Sequence, residues 1–225
     1  MKHITYKILK KNTKREKMDK LQKDGYSKFM KQYFIENKEL FSNLSKSQKP
    51  ETMIITCSDS RIDPALLLDA HPGELFIIRN IGNIVPPYFP AKGSTQASIE
   101  YAVNVLHIKR IVILGHSNCG ACAYMYHKAK EGEQKLNHVD QWLSHITPAK
   151  SASMLEVHAN KNKNIFELTE KHNIIVSLQR LMEYPYIQDN LIHDKIELEG
   201  WWYDIGSGAV EIYNFNTRHF DDAIE

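Results

Sequence analysis

Apolar residues along this chain follow two rhythms that alternate. Short unbroken runs appear at Met53-Ile54-Ile55, Leu75-Phe76-Ile77-Ile78 and Ile111-Val112-Ile113-Leu114. Runs of this length, rich in β-branched residues and apolar at every position, predict strands buried on both faces, as in a parallel sheet. Between them the spacing changes to a helical stripe. Ile99, Ala102, Val103 and Leu106 carry it over 94–106, with Ser94 as N-cap and Tyr101 off the stripe. Asp63-Pro64 opens another helix, since proline in the first turn lacks only an N–H that has no helical partner there, and His71-Pro72-Gly73 ends it. Strands alternating with helices of this size predict βαβ units.

Beyond residue 130 the helical rhythm takes over, at 137–147, 151–160 and, most clearly, 164–183, where Pro185 closes the run. The stretch from Lys195 to Tyr213 alternates with period two around Gly206-Ser207-Gly208, which predicts a terminal hairpin. At the other end, Phe29, Met30, Tyr33, Phe34, Leu40, Phe41 and Leu44 recur at helical spacing. One or two amphipathic helices there would pack on their own domain or on another subunit. The expected fold is therefore α/β. It has a mainly parallel β-sheet core flanked by helices, an N-terminal helical arm, and C-terminal helices with a terminal hairpin.

Composition narrows this picture only slightly. A chain of 225 residues suits one domain with a substantial core. The division expected is a basic, flexible arm over 1–25 and a single α/β domain over 26–225. A net charge of +2 gives no global pull toward nucleic acid or a membrane surface. No run approaches the roughly 18 apolar residues of a membrane span. The basic N-terminus (Lys2, Lys7, Lys10, Lys11, Lys14, Arg15, Lys17) lacks the apolar stretch of a signal peptide and reads as a solvated arm. Three cysteines cannot form a closed disulfide framework, so the thiols are expected reduced and the protein cytoplasmic.

The chemistry lies where two of the apolar runs stop. The first ends in Cys57-Ser58-Asp59-Ser60-Arg61, the second in His116-Ser117-Asn118-Cys119-Gly120. In open parallel sheets the carboxyl ends of strands are where ligands bind. Zinc takes thiolate and imidazole ligands, and a catalytic zinc keeps one position open. Cys57, His116 and Cys119 supply three ligands. Asp59 is a candidate for the fourth position. Held by the planar guanidinium of Arg61, it stays off the metal and can accept a hydrogen bond from a zinc-bound hydroxide; released, it can close the site as fourth ligand. Cys122 completes a C-x-x-C with Cys119. That spacing fits a thiol–disulfide couple, a closed Cys₃His zinc site, or a small buried thiol one turn along.

These motifs, with Gly73 to Asn83, Ala97 to Ala102, Ser177-Leu178 and Gly200-Trp201 in order, resemble the β-class carbonic anhydrases over residues 26–220. The resemblance implies a zinc lyase that reversibly hydrates CO2 to bicarbonate and a proton, through attack of zinc-bound hydroxide on CO2. One Zn2+ per subunit would be held by Cys57, His116 and Cys119, with Asp59 and Arg61 as the gating and orienting pair. The N–H of Gly120 would donate to a substrate oxygen. The family's open-site, plant-like group carries a glutamine, a phenylalanine and a tyrosine that match Gln48, Phe76 and Tyr101 here, the two aromatic residues being contributed across a dimer interface. Its switching group carries a tryptophan where this chain has Ile54. The resemblance therefore implies an open site in a homodimer, or a dimer of dimers. A redox protein built on Cys119 and Cys122, or a zinc-stabilised interaction protein, would leave Asp59 and Arg61 idle.

Overall fold

The computed structural model describes residues 20–89, 93–128 and 131–224, so most of the expected basic arm lies outside the described residues. The chain divides into two compact units between Gln48 and Lys49.

In the first unit, helix α1 (Lys20–Lys28) runs into a π-helical turn at Phe29–Phe34, and α2 (Lys38–Leu44) follows. The apolar stripe read from the sequence gathers here into an aromatic cluster. Phe34 and Phe41 lie 4.9 Å apart between ring centroids, and Phe29 meets Phe41 edge-on at 5.7 Å. No residue of these helices is fully buried.

The second unit is built on a six-stranded sheet of order β2-β1-β3-β4-β5-β6. Its strands are β1 (Thr52–Cys57), β2 (Leu75–Asn80), β3 (Arg110–His116), β4 (Glu197–Tyr203), β5 (Val210–Asn214) and β6 (His219–Asp222). The first four are mutually parallel, while β5 and β6 turn back antiparallel. Alternate residues of β1 and β3 serve opposite faces, which explains why their sequences read as unbroken apolar runs. Met53, Ile55, Ile111 and Ile113 point into the larger core, and Ile54, Val112 and Leu114 pack beneath Ile62 and Leu67 on the other face.

Helices fill the crossovers: α3 (Pro64–Leu67), α4 (Ser94–Asn104), α5 (Gly120–Tyr124), α6 (Asn137–Leu143), α7 (Thr147–Ala159), α8 (Ile165–Met182) and α9 (Pro185–Ile192). Asp63 caps α3 by accepting from the N–H groups of Ala65 and Leu66. Three details differ from the sequence reading. Pro185 does close α8, but it also opens α9, the role its missing N–H best suits. The terminal hairpin gains a third strand, β6, whose short polar run carries no alternation to read. That hairpin also belongs to the main sheet, because β4 lies parallel to β3.

Helix α8 packs unusually close to the sheet. Ile174 sits between two glycines: a Cβ on Gly115 would lie 2.7 Å from its Cδ1, and one on Gly200 would lie 2.7 Å from its Cγ2 and 2.8 Å from Leu178 Cδ1. Gly200→Ala is therefore expected to destabilise the fold. Overpacking a full core costs about 1–3 kcal/mol, against a backbone gain of roughly 0.5–1 kcal/mol for replacing glycine. A thermal midpoint lowered by a few degrees, at ~2–4 °C per kcal/mol in a chain of this size, is the check.

Candidate metal centre

Because β1 and β3 are parallel neighbours in register from Thr52↔Arg110 to Thr56↔Leu114, their C-terminal residues emerge side by side. Cys57 is the last residue of β1, and His116 the last of β3. The turn after β3 then brings Cys119 back to them. Asn118 makes that turn with φ of 56°, a left-handed conformation that asparagine tolerates better than most residues. Cys119 becomes the N-cap of α5, and Gly120 is its first residue, exposed, with open space where a side chain would stand.

The ligand atoms of Cys57, His116 and Cys119 all lie within 4.8 Å of one another, and all three residues are buried. Cys57 and Cys119 belong to a buried apolar cluster with Ile84, Ala121, Leu143, Ile146 and Ala149. Shared hydrogen bonding with Cys119, and then burial, push the Cys57 thiol up to about 12. Hydrogen bonding with Cys122, together with burial, pushes the Cys119 thiol up to about 12 as well. His116 Nδ1 lies 2.9 Å from the Ser117 carbonyl oxygen and donates to it. That bond leaves the Nε2 lone pair facing the thiols, buried and without a hydrogen-bond partner among the described residues. Two buried thiols and an orphaned imidazole nitrogen are poorly suited to each other alone and well suited to a thiophilic dication.

Asp59 stands at the rim. Its carboxylate accepts from Arg61 Nε at 2.9 Å and Nη2 at 2.8 Å, a two-pronged pair, and from the Arg61 backbone N–H at 3.0 Å. These bonds, the side-chain ones foremost, hold the carboxyl well below the usual carboxylate range. Asp59 Oδ2 is 3.9 Å from His116 Nε2, so the aspartate looks onto the site while committed to arginine. Arg61 Nη2 also donates to the Asn118 carbonyl at 3.0 Å, joining the two strand-end loops. Cys122 is buried beside Cys119 but is not one of the three clustered groups. Phe76 and Tyr101 lie on β2 and α4 with ring centroids 6.3 Å apart, and Tyr101 is 45% exposed. Gln48 is exposed at the end of the first unit.

The carbonic anhydrase family model matches residues 52–210, most of the chain. The chain belongs to the carbonic anhydrase family. A carbonic anhydrase of Pseudomonas aeruginosa is 39% identical over 203 residues, covering 88% of each chain. Among solved structures, the β-carbonic anhydrase CcaA is 37% identical with a TM-score of 0.79, over 88% of this chain and 96% of that one. A tetrameric β-carbonic anhydrase of Sordaria macrospora is 29% identical with a TM-score of 0.69, over 94% and 97%. These likenesses place the chain in the β class of carbonic anhydrases.

Three supports of this β-class site escape a reading of the sequence alone. Arg79 donates to the carbonyls of Cys57, Asp59 and Ile62, at 3.2, 2.7 and 2.7 Å, and so laces the loop that presents Asp59. On α8, Glu170 accepts the Cys119 N–H at 2.9 Å, and Asn173 donates to the Gly82 carbonyl at 2.7 Å. Gly82 in turn aims its N–H at Cys57 Sγ, 3.4 Å away. Glu170, Asn173, Ser177 and Arg180 do recur at helical spacing on one buried face, but in a helix with many other polar residues the sequence does not set them apart.

Proposed function

We propose that this chain reversibly hydrates CO2 to bicarbonate and a proton with one zinc ion per subunit, held by Cys57, His116 and Cys119. The observation that carries the reading is the buried Cys–His–Cys cluster faced by an aspartate that an arginine grips with both prongs. Zinc bound there would supply Lewis acidity, bringing hydroxide within reach at near-neutral pH. The remaining work belongs to the chain. Asp59 accepts a hydrogen bond from the nucleophile and leaves its lone pair turned toward CO2. Arg61 holds Asp59 in that duty and away from the fourth position, which keeps the site open. Gly120 offers its N–H to a substrate oxygen, and the apolar wall around Ile84, Leu143 and Ile146 excludes bulk water.

Stopped-flow CO2 hydration on zinc-loaded protein, over about pH 6.5 to 9, tests the reading. Rates that rise through a single ionisation support it. An inactive protein carrying one zinc per chain would count against the open site.

A second copy of the chain completes the proposal. Strand β2 is a sheet edge, and beside it Ile77, Tyr101 and Val105 are 37%, 45% and 55% exposed. A bare apolar edge of this kind invites pairing. In this reading a homodimer, or a dimer of dimers, covers it and offers Phe76 and Tyr101 to the neighbouring subunit's substrate, with Gln48 as a further substrate-binding residue. Ile77→Glu is then expected to shift the protein to monomers at micromolar concentration and to depress activity with it, as sedimentation velocity would show. The three unpaired thiols suit the reducing conditions of a cytoplasmic protein.

A further inference from the structure

Glu170 is the only buried acidic residue among those described, with 3% of its surface exposed. No cation lies within ion-pair distance of it among the described residues. A carboxylate in such a place is costly unless its oxygens are used. Both are. One oxygen accepts the Cys119 backbone N–H at 2.9 Å, and the other accepts Trp202 Nε1–H at 3.2 Å. The two donors arrive from two elements at different oxygens, and a carboxylate presents an acceptor at both positions. A glutamine could satisfy one donor but would present its own N–H₂ to the other.

What this carboxylate holds is the N-cap of α5, the residue whose thiol faces Cys57 and His116. One turn along the same helix, Asn173 holds Gly82, whose N–H meets the Cys57 sulfur. Helix α8, wedged against the sheet by Ile174, thus reaches the backbone around both cysteines. We propose that Glu170 is a positioning residue of the metal centre. Its carboxylate bridges Cys119 N–H and Trp202 Nε1–H and so sets the direction from which the Cys119 thiolate meets the metal. The proposal rests on Cys119 being a ligand, as argued above.

The test uses the full chain with Glu170→Gln, Trp202→Phe and the two combined. It reads zinc retention against a chromophoric chelator and the absorption spectrum of the cobalt(II)-substituted protein. Glu170→Gln alone is expected to weaken zinc binding by about 10- to 100-fold, the usual cost of losing a partner behind a ligand, and to alter the cobalt d–d bands. Trp202→Phe alone is expected to perturb both readouts less than Glu170→Gln, because it frees one carboxylate oxygen and leaves the bond to Cys119. The double variant is expected to recover most of the affinity and the parent spectrum, because the glutamine amide no longer faces an indole N–H and its carbonyl is free for Cys119. Unchanged affinity and spectrum in Glu170→Gln, or a loss that Trp202→Phe leaves uncorrected, would overturn the proposal.

Should Glu170→Gln not fold, Glu170→Asp keeps both acceptors on a shorter arm. It is expected to perturb the same cobalt bands without correction by Trp202→Phe, and unaltered bands overturn the proposal equally. A parent protein lacking any thiolate-to-cobalt charge-transfer band would overturn the ligand assignment itself, and this proposal with it.

Discussion

Cys57→Ser is expected to purify folded, free of zinc and inactive. A serine hydroxyl does not ionise at neutral pH, so the site loses an anionic ligand and one of its three anchors. That loss exceeds the about 10- to 100-fold attached to a partner behind a ligand, so metal should not survive dialysis against a chelator. The fold should survive. Burying a hydroxyl without a good partner costs about 1–3 kcal/mol by mutational measure, within the ~5–15 kcal/mol that holds a domain together. Metal analysis, circular dichroism and CO2 hydration on one sample check all three statements. A zinc-replete or active variant would remove Cys57 from the ligand set.

The thiols add a pH dependence of known sign. With Cys57 and Cys119 pushed up to about 12, both are protonated in the metal-free protein across the neutral range. Zinc takes them as thiolates, so uptake releases two thiol protons, and these two alone make the apparent affinity rise with pH by about 100-fold per unit. Cys57→Ser should release at most one. Titration in weakly buffered indicator dye reads the number directly.

Asp59→Ala is expected to keep its zinc and lose about 100-fold in kcat/KM, the scale on which misplacing a reacting group costs rate. Asp59→Asn should be nearly as damaging, because an amide turns N–H donors toward a guanidinium that has only donors to offer. Since Arg61 holds the Asp59 carboxyl well below the usual range, the aspartate stays ionised throughout neutral pH. It therefore contributes no limb to the profile between about pH 6.5 and 9, and Asp59→Ala should keep the parent's pH shape at lower amplitude. Parent-like rates in Asp59→Ala would reduce Asp59 and Arg61 to a surface ion pair of small worth.

Much of this was legible in the chain itself, for a physical reason. Strands buried on both faces must be apolar throughout, so Met53–Ile55 and Ile111–Leu114 announced themselves, and the chemistry began where each run stopped. The register that sets Cys57 beside His116 follows from parallel pairing once the strands are known. Less legible was anything depending on which residue a polar side chain reaches. Glu170 and Asn173 lie 51 and 91 residues from the groups they hold, and nothing local in the sequence points there. Arg79 similarly spends its donors on carbonyls, which are the same at every position. Pro185 both stops and starts a helix, so its punctuation could be read only one way at a time.

The placement of the ligands at the ends of two strands already zipped together from Thr52↔Arg110 to Thr56↔Leu114 has a consequence for how the cell makes this protein. The apolar layers around Ile54, Ile55, Val112 and Ile113 include none of the three proposed ligands, so the chain is expected to fold first and take up its metal afterwards. Small zinc-dependent folds behave oppositely, being unfolded until metal arrives. A cell short of zinc would therefore accumulate intact but silent molecules and could switch them on when supply returned, with no new synthesis.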